Sequence, residues 1–262
     1  MSTKLWTPAG PFAFSTQANT AVLDASTAGS IDDYVHVRTV EVGNSTGANA
    51  ACGWGVRLPD AMWKAGQWDD SDTASYTDDT TDAQDAGTDD FLMNEATPAN
   101  DDGFIVQAYD RFNVVSFKLN TAGAGGGIAT PNYAYWNGSA WTAMTPVVTA
   151  DYTSTSAIQC FAFLTPPTWT KLAAADAPVA TDGLTANTYA IKVAWATAPT
   201  TEPQADYLSL VQLQDYVENV ADGTSVTREL GDFKVPYRAS IVPFCSVANA
   251  ANWCSLEYRQ GG

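Results

Sequence analysis

The nine residues Tyr133-Ala-Tyr-Trp-Asn-Gly-Ser-Ala-Trp141 carry the clearest secondary-structure signal in this chain. Aromatic side chains alternate with small ones up to a central Asn-Gly pair. Such a pair favours a β-hairpin, because both residues tolerate the positive φ of a type I′ turn. We therefore predict two antiparallel strands joined by a tight turn. The residues that define this hairpin are Tyr135, Trp136, Asn137, Gly138 and Trp141.

Two further aromatic segments continue the pattern, Phe161-Ala-Phe-Leu-Thr-Pro-Pro-Thr-Trp169 and Tyr189-Ala-Ile-Lys-Val-Ala-Trp195. Both contain short strand-like runs. Large aromatic side chains at alternating strand positions are typical of a packed core. The predicted core tryptophans are Trp136, Trp141, Trp169 and Trp195. The alternative is that these rings form stacking platforms for a sugar on an open face.

Short apolar runs recur along the whole chain between clusters of Gly, Pro, Asn and Asp, without the i, i+3, i+4 stripe of a helix. This pattern predicts an all-β fold, an antiparallel β-sandwich or jelly roll, with a long acidic loop and extended termini. We expect an N-terminal arm, strand and acidic-loop region at 1–103, an aromatic-rich β-sandwich module at 104–215, and C-terminal strands at 216–262. One continuous domain is the alternative.

The three aromatic segments, in this order, resemble a β module that recurs in structural proteins of tailed bacteriophages. The resemblance rests on YWNGSAWTAM, FLTPPTWTK and YAIKVAW and covers roughly residues 104–215. It implies a non-enzymatic virion protein, a capsid decoration, cement or vertex component that bridges capsid subunits as a homo-oligomer. A tail, neck or baseplate component with an adaptor or glycan-receptor role is the alternative. Either role implies a protein of the virion that is assembled in the host cytoplasm.

The chain is strongly acidic, with 29 Asp and Glu against 12 Lys and Arg and a formal charge of −17. Such a charge repels a phosphate backbone, so direct nucleic-acid binding is not expected. It suits docking onto a basic surface of a capsid protein or another virion protein. No apolar run approaches the roughly 18 residues of a membrane span, and no signal-peptide pattern follows Met1, so no membrane association is expected.

Acidic residues concentrate between positions 60 and 102, where the only basic residue is Lys64. Such a run cannot form a core, but its aromatic residues predict an ordered excursion that is attached to the fold. Its carboxylates can supply the hard oxygen ligands that Ca²⁺ prefers. The candidate ligands are Asp69, Asp70, Asp72, Asp78, Asp79 and Asp82. A solvated acidic loop without metal is the alternative, because the spacing matches no EF-hand.

The cysteines Cys52, Cys160, Cys245 and Cys254 have no C-x-x-C spacing, and His36 is the single imidazole. This composition argues against a structural zinc site and favours buried thiols. Cys245 and Cys254 are close enough in sequence to pair across a short hairpin, although a reducing cytoplasm disfavours a disulfide.

The sequence offers no clear catalytic constellation. His36 lies on a predicted strand and is not accompanied by a G-x-S-x-G elbow, and the glycine-rich loop 123–127 lacks the GxxxxGK[ST] pattern of a phosphate cradle. Asp69 beside Trp63 and Trp68 is the place where a glycosidase site would be sought, but acidic pairs are frequent in so acidic a chain. We therefore expect a protein that acts by binding, without catalysis and without a cofactor.

Overall fold

The computed structural model describes residues 7–14, 23–24, 35–70, 76–86, 90–95, 97–156, 158–173, 183–235, 239–247, 249 and 251–260. About 53% of the described residues are in strands and 4% are in helices, and the sheets are antiparallel. The protein therefore has an all-β fold, which confirms the predicted fold class.

The strands of the described residues are β1 (Thr7–Ala13), β2 (Leu23–Asp24), β3 (Val35–Gly43), β4 (Ala50–Arg57), β5 (Trp63–Trp68), β6 (Tyr76–Asp78), β7 (Phe91–Leu92), β8 (Gly103–Ala108), β9 (Val114–Thr121), β10 (Asn132–Trp136), β11 (Trp141–Met144), β12 (Ile158–Ala162), β13 (Tyr189–Ala194), β14 (Gln204–Val220), β15 (Ser225–Lys234), β16 (Ser240–Cys245) and β17 (Trp253–Gln260). A 3₁₀ helix (Asp60–Met62) precedes β5, and the short helix α1 (Thr80–Gln84) follows β6. Within the described ranges, no helix is long and apolar enough to cross a membrane.

The chain divides into two compact units. Unit 1 comprises Met1–Pro59 and Val211–Gly262, and unit 2 comprises Asp60–Leu210. These boundaries differ from the predicted ones after residues 103 and 215. The physical reason is strand pairing, since β5 in the acidic region pairs along its whole length with β8 of the aromatic module. At the other boundary, unit 2 ends after Leu210, within the sequence range of β14.

Unit 1 contains two antiparallel sheets. One has the order β1-β17-β3-β15, and in the other β4 lies between β16 and the second half of β14, with β2 beside β16. The buried cluster takes Val40 from β3, Trp54 from β4, Ile241 from β16 and Leu256 from β17. Side chains of both sheets share one core, which is the arrangement of a β-sandwich.

Unit 2 is built on the sheet β11-β10-β13-β8-β5-β6, while β9 lies between β12 and the first half of β14. Strand β7 also pairs with β14. Aromatic rings connect the two groups of strands. Phe117 of β9 stacks on Tyr152 with ring centroids 5.2 Å apart, and Tyr152 lies 6.4 Å from Phe104 of β8. Likewise, Tyr133 of β10 lies 5.0 Å from Phe161 of β12.

The hairpin β10–β11 forms at the predicted place, with Trp136 directly opposite Trp141. Its loop has four residues, 137–140, rather than the two of a type I′ turn, and within it only Gly138 has a positive φ, of 99°. Asn137 closes the loop through its side chain, because Oδ1 accepts hydrogen bonds from the backbone N–H groups of Ser139 and Ala140, both at 2.9 Å.

The acidic region 60–102, predicted as one long loop, contains β5, β6, β7 and α1. Strand β5 lies between β8 and β6 and has no acidic residue of its own. Its Trp63, Ala65 and Trp68 are buried, whereas Lys64 and Gln67 are half-buried. The aspartate-rich composition of the region did not indicate these buried residues. The strands in the described part of the region belong to the sheet and do not form an excursion from the fold.

Candidate functional site

One face of the six-stranded sheet in unit 2 carries a group of tryptophans. Side chains alternate between the two faces of a sheet, so Ile105 lies on the opposite face from Phe104. The tryptophans lie on the face of Ile105. There the ring of Trp141 meets Trp68 at 6.0 Å and 68°, and Trp136 at 5.6 Å and 71°. Such edge-to-face contacts fix the rings relative to one another. We call Trp68, Trp136, Trp141 and the adjacent Lys192 the tryptophan face.

Lys192 is the one cation of the tryptophan face. Its Nζ lies 5.0 Å from the ring centroid of Trp68, 5.5 Å from that of Trp141, and 3.6 Å from Asp70 Oδ1. The side chain is 15% exposed. Burial lowers the pKa of Lys192, and the nearby carboxylate of Asp70 opposes that shift only in part. The ammonium group is therefore held between two rings at a cost in hydration.

A cleft of about 530 Å³ opens beside these residues, within the size range of small-molecule sites. Trp141 and Lys192 contribute to its wall. The remaining lining is mixed, with the carboxylates of Asp70 and Asp101, hydroxyl groups of threonines, and the side chain of Met144. An aromatic ring next to convergent hydrogen-bonding groups can hold a polyhydroxylated ligand such as a sugar.

Buried Asp102 shapes the loop that brings the acidic groups to this cleft. Its Oδ1 accepts a hydrogen bond from the backbone N–H of Asp70 at 2.8 Å, and its Oδ2 accepts one from the N–H of Ala99 at 2.5 Å. Asp101 has a φ of 69°, and its N–H donates to the carbonyl oxygen of Trp195 at 2.8 Å. A left-handed conformation is unusual for a residue other than glycine, and here backbone contacts on both sides hold it.

Asp102 also belongs to the one cluster of metal-ligand type found in the described residues. Carboxylate oxygens of Asp69, Glu95 and Asp102 all lie within 4.8 Å of one another. A separation of about 5 Å is also typical of the two catalytic carboxyl groups in a retaining glycosidase. However, both oxygens of Asp102 accept backbone hydrogen bonds and the residue is fully buried, so this group is not placed to attack a substrate.

The structure describes five of the six candidate calcium ligands, two of the set Asp69, Asp70 and Asp72 and all of the set Asp78, Asp79 and Asp82. Asp69 joins the cluster just described, and Asp70 pairs with Lys192. Asp78 accepts hydrogen bonds from Lys64 Nζ at 3.1 Å and from the hydroxyl of Thr80. Asp72 lies outside the described residues. Among the described residues, no three of these candidates form one cluster of carboxylate oxygens, and Asp69 instead joins Glu95 and Asp102.

The remaining two candidates, Asp79 and Asp82, form a repulsive pair at the start of α1. Burial, followed by the charge of Asp82, raises the pKa of Asp79 to about 6. Gln67 Nε2 donates to Asp79 Oδ2 at 3.4 Å and offsets part of this effect. Asp79 is thus the described carboxylate whose charge is least compatible with its surroundings at neutral pH.

The predicted hairpin and core aromatic residues lie inside unit 2. Trp136, Trp169 and Trp195 are 3%, 2% and 0% exposed, and Tyr135 is 7% exposed. Trp169 Nε1 donates to the carbonyl of Ala190, and the hydroxyl of Tyr135 hydrogen-bonds Thr168 at 2.8 Å. Trp141 differs, since it is half-buried on the edge strand β11. Three of the four tryptophans are core residues, and the fourth is shared between core and cleft.

All four cysteines are buried thiols. Cys245 of β16 lies directly opposite Cys52 of β4, whereas Cys254 of β17 lies opposite Val42 of β3. The alternative pairing of Cys245 with Cys254 does not form, because β16 and β17 belong to different sheets and do not make a hairpin. The cysteine opposite Cys245 comes from the other end of the sequence.

Sequence reasoning did not identify Lys192 or Asp101. A signal for Lys192 was present, because it is the single charged residue in the apolar strand Tyr189-Ala-Ile-Lys-Val-Ala-Trp195. Asp101 had no signal, since one more aspartate in an acidic run is inconspicuous. His36 of β3 is half-buried in unit 1, in a different unit from the tryptophan face.

No known protein family, curated protein or solved structure matches this chain.

Proposed function

We propose that this protein is a non-enzymatic structural component of a phage virion, with the role of a capsid decoration, cement or vertex protein. The proposal begins from the resemblance of residues 104–215 to phage structural proteins. The observation that supports it best is the use of the tryptophans in these segments. Trp136, Trp169 and Trp195 are at most 3% exposed, so they contribute to a rigid interior rather than to an open sugar-binding face.

Such a protein would act by burying surface on an assembled partner. A copy that binds adjacent capsid subunits, but not the separate subunit, shifts assembly toward the shell by mass action. A stable contact of this kind buries about 1,200–2,000 Å². Because lattice positions are symmetric, we expect the protein to act as a homo-oligomer or at a symmetry axis.

The charge supports a basic partner surface. With a net charge of −17, the protein attracts positively charged proteins and repels nucleic acid. Acidic side chains are exposed at several places in the described residues, including Asp60, Asp85, Asp110 and Asp222. Binding to the capsid should therefore weaken as salt rises, since exposed charges are screened over about 10 Å at 0.1 M ionic strength.

The direct test is localisation on purified particles of the phage that encodes this chain. Gold-conjugated antibody against the protein should label heads at many positions, and particles made without the protein should lose capsid stability to heat. Label restricted to tails or to the neck would replace the decoration role with the second candidate below. Absence of the protein from purified particles would reject both virion roles.

The second candidate function is an adaptor or receptor-binding role in the tail, neck or baseplate, with a glycan as ligand. The observation that favours it is the cleft beside Trp141, where an aromatic ring, Lys192 and two carboxylates converge. A sugar stacked near Trp141 would quench or shift tryptophan fluorescence. The matched pair for this test is Trp141→Ala and Trp253→Ala, since both rings are half-buried but Trp253 lies in unit 1.

Screening a glycan array with the wild-type protein and this pair separates the two roles. Binding that Trp141→Ala abolishes and Trp253→Ala preserves would establish the receptor role. The decoration role expects no glycan signal that depends on Trp141.

A further inference from the structure

Two cysteines that are far apart in sequence face each other in the sheet of unit 1. Cys52 of β4 and Cys245 of β16 are register partners, and their Sγ atoms are 3.5 Å apart. Both side chains are fully buried. The two cysteines are separated by 193 positions in the chain, so neither their spacing nor a sequence motif indicates that they are in contact.

The backbone around this pair has the geometry that a disulfide needs. The N–H of Ser246 donates to the carbonyl oxygen of Ala51 at 2.8 Å, which makes the neighbouring position a hydrogen-bonded pair. Since the two kinds of pair alternate, Cys52 and Cys245 occupy a non-hydrogen-bonded position, where Cα atoms are about 4.5 Å apart. That separation falls within the roughly 4.4–6.8 Å range of disulfide-bonded cysteines.

The geometry points to Cys52 and Cys245 as an oxidative modification site, at which a peroxide converts two buried thiols into a disulfide that cross-links β4 to β16. The sulfur atoms already touch, so bond formation requires them to approach from 3.5 Å to bonding distance without a change of register. The strands themselves can remain in place.

The two sulfurs are not equivalent. The Cys52 thiol donates a hydrogen bond to Cys245 Sγ, and this contact lowers the pKa of Cys245 to about 7 while it raises the pKa of Cys52. Cys245 is therefore the nucleophile, since the thiolate is the reactive form of cysteine. It is also the last residue of β16 and is followed two positions later by Val247, which is 42% exposed. A small oxidant reaches the buried sulfur when this strand end opens locally.

The chemistry balances with hydrogen peroxide as the oxidant. The Cys245 thiolate attacks one peroxide oxygen, the O–O bond breaks, and the hydroxide that leaves takes up a proton to become water. Cys245 is now a sulfenic acid. Cys52, as it loses its proton, attacks Cys245 Sγ, and the S–O bond breaks to release a second hydroxide, which takes up that proton. Two thiols are oxidised to one disulfide, and one peroxide is reduced to two waters.

The other two cysteines provide matched controls. Cys254 is fully buried in the same core cluster as the pair, but its register partner is Val42 and burial raises its pKa to about 12. Cys160 lies in unit 2 and pairs in register with Ser116. Neither should react under conditions that oxidise Cys245.

The experiment treats the folded full-length chain with hydrogen peroxide after complete reduction, then alkylates, digests and maps the cysteines by mass spectrometry. We expect the number of alkylated thiols to fall from four to two, with Cys52 and Cys245 in one cross-linked peptide pair. Cross-linking should slow below pH 7, as Cys245 becomes protonated. The oxidised protein should melt at least about 5 °C higher, because the cross-link closes a long loop, and a reducing agent should reverse the shift.

Two variants complete the test. Cys254→Ala should form the cross-link, whereas Cys52→Ala should form none. Because Cys52→Ala also removes the hydrogen bond that lowers the pKa of Cys245, its Cys245 should oxidise more slowly than in the wild-type protein. If Cys52→Ala does not fold, the wild-type peptide map decides alone. A cross-link that involves Cys254 or Cys160, or four unmodified thiols in folded protein under conditions that oxidise the unfolded chain, overturns the assignment.

Discussion

Replacement of Trp136 by alanine tests whether the aromatic hairpin is a structural core or a ligand platform. Trp136 is 3% exposed and packs with Trp68, Tyr76 and Ile105 on the tryptophan face. Truncation of a buried tryptophan to alanine usually lowers the free energy of unfolding by about 3–5 kcal/mol, from lost transfer free energy and from the cavity that remains. Unit 2 has about 150 residues, and in domains of that size each kcal/mol shifts Tm by about 2–4 °C. We therefore expect a Tm decrease of roughly 6–20 °C.

Two companion variants make the result specific. Trp141 is half-buried, so Trp141→Ala should lower stability by less than half as much. Trp136→Phe retains a ring and removes Nε1, a buried donor that has no hydrogen-bond partner among the described residues. An unpaired buried N–H destabilises the folded state. The free energy of unfolding of Trp136→Phe should therefore be much closer to the wild-type value than that of Trp136→Ala.

The assay is thermal unfolding by calorimetry, together with urea unfolding at 25 °C to give the free energy directly. A Trp136→Ala decrease below about 1 kcal/mol would refute the reasoning, because truncation of a tryptophan packed in a core typically costs about 3–5 kcal/mol. An equal loss in Trp141→Ala and Trp136→Ala would show that the difference in burial between the two rings does not control their contribution.

Three further predictions concern the strands and charges of unit 2. Gly103→Ala should lower the free energy of unfolding by at least about 2 kcal/mol, since the new Cβ would lie 1.9 Å from a backbone oxygen of β13. Urea midpoints measure this, and the control is Gly127→Ala, whose Cβ would come no nearer than 3.7 Å to the neighbouring atoms, an ordinary van der Waals contact. Asp79→Asn should raise Tm at pH 7 and leave Tm unchanged below about pH 4. Burial and Asp82 raise the pKa of Asp79 to about 6, so the ionised carboxylate destabilises the fold at pH 7. An unchanged Tm at pH 7 would contradict this prediction. Lys192→Met should be neutral or stabilising by up to about 1 kcal/mol in urea unfolding. Burial lowers the pKa of Lys192 by more than the nearby carboxylate raises it, so the charged form is disfavoured in the folded protein. A large loss of stability would mean that the contacts between the ammonium group and the rings dominate.

The hairpin shows what the sequence could predict and where local rules stopped. An Asn-Gly pair between aromatic strands was sufficient to place the turn. It was not sufficient to give the loop length, because the side chain of Asn137 caps a four-residue loop and only Gly138 adopts a positive φ. The residues of the turn were predicted, whereas its length depends on the hydrogen bonds that the Asn137 side chain accepts inside the loop.

The acidic region shows a failure of a different kind. Composition indicated a solvated loop, yet Trp63-Lys-Ala-Gly-Gln-Trp68 forms a strand in the sheet. Mean charge over forty residues cannot reveal a strand of six, since the pairing partner β8 lies about forty positions further on. The cysteine pair was beyond prediction for the same reason, because contact between Cys52 and Cys245 depends on long-range register. Lys192 is visible in the sequence as a lone charge in an apolar strand. Its contacts with Trp68 and Trp141 could not be predicted, because they depend on where these rings lie in three dimensions.

The place where the chain leaves and re-enters unit 1 makes unit 2 separable by genetic means. Arg57 of β4 and Val211 of β14 are direct partners in an antiparallel ladder, so their Cα atoms are about 5 Å apart. A two-residue turn is enough to join two such strands. Excision of the segment between them would leave unit 1 with an ordinary hairpin, and the same junction would accept a foreign domain whose own ends lie side by side. Unit 2 is therefore an insertion in the sequence of unit 1 that begins and ends beside one pair of strand partners.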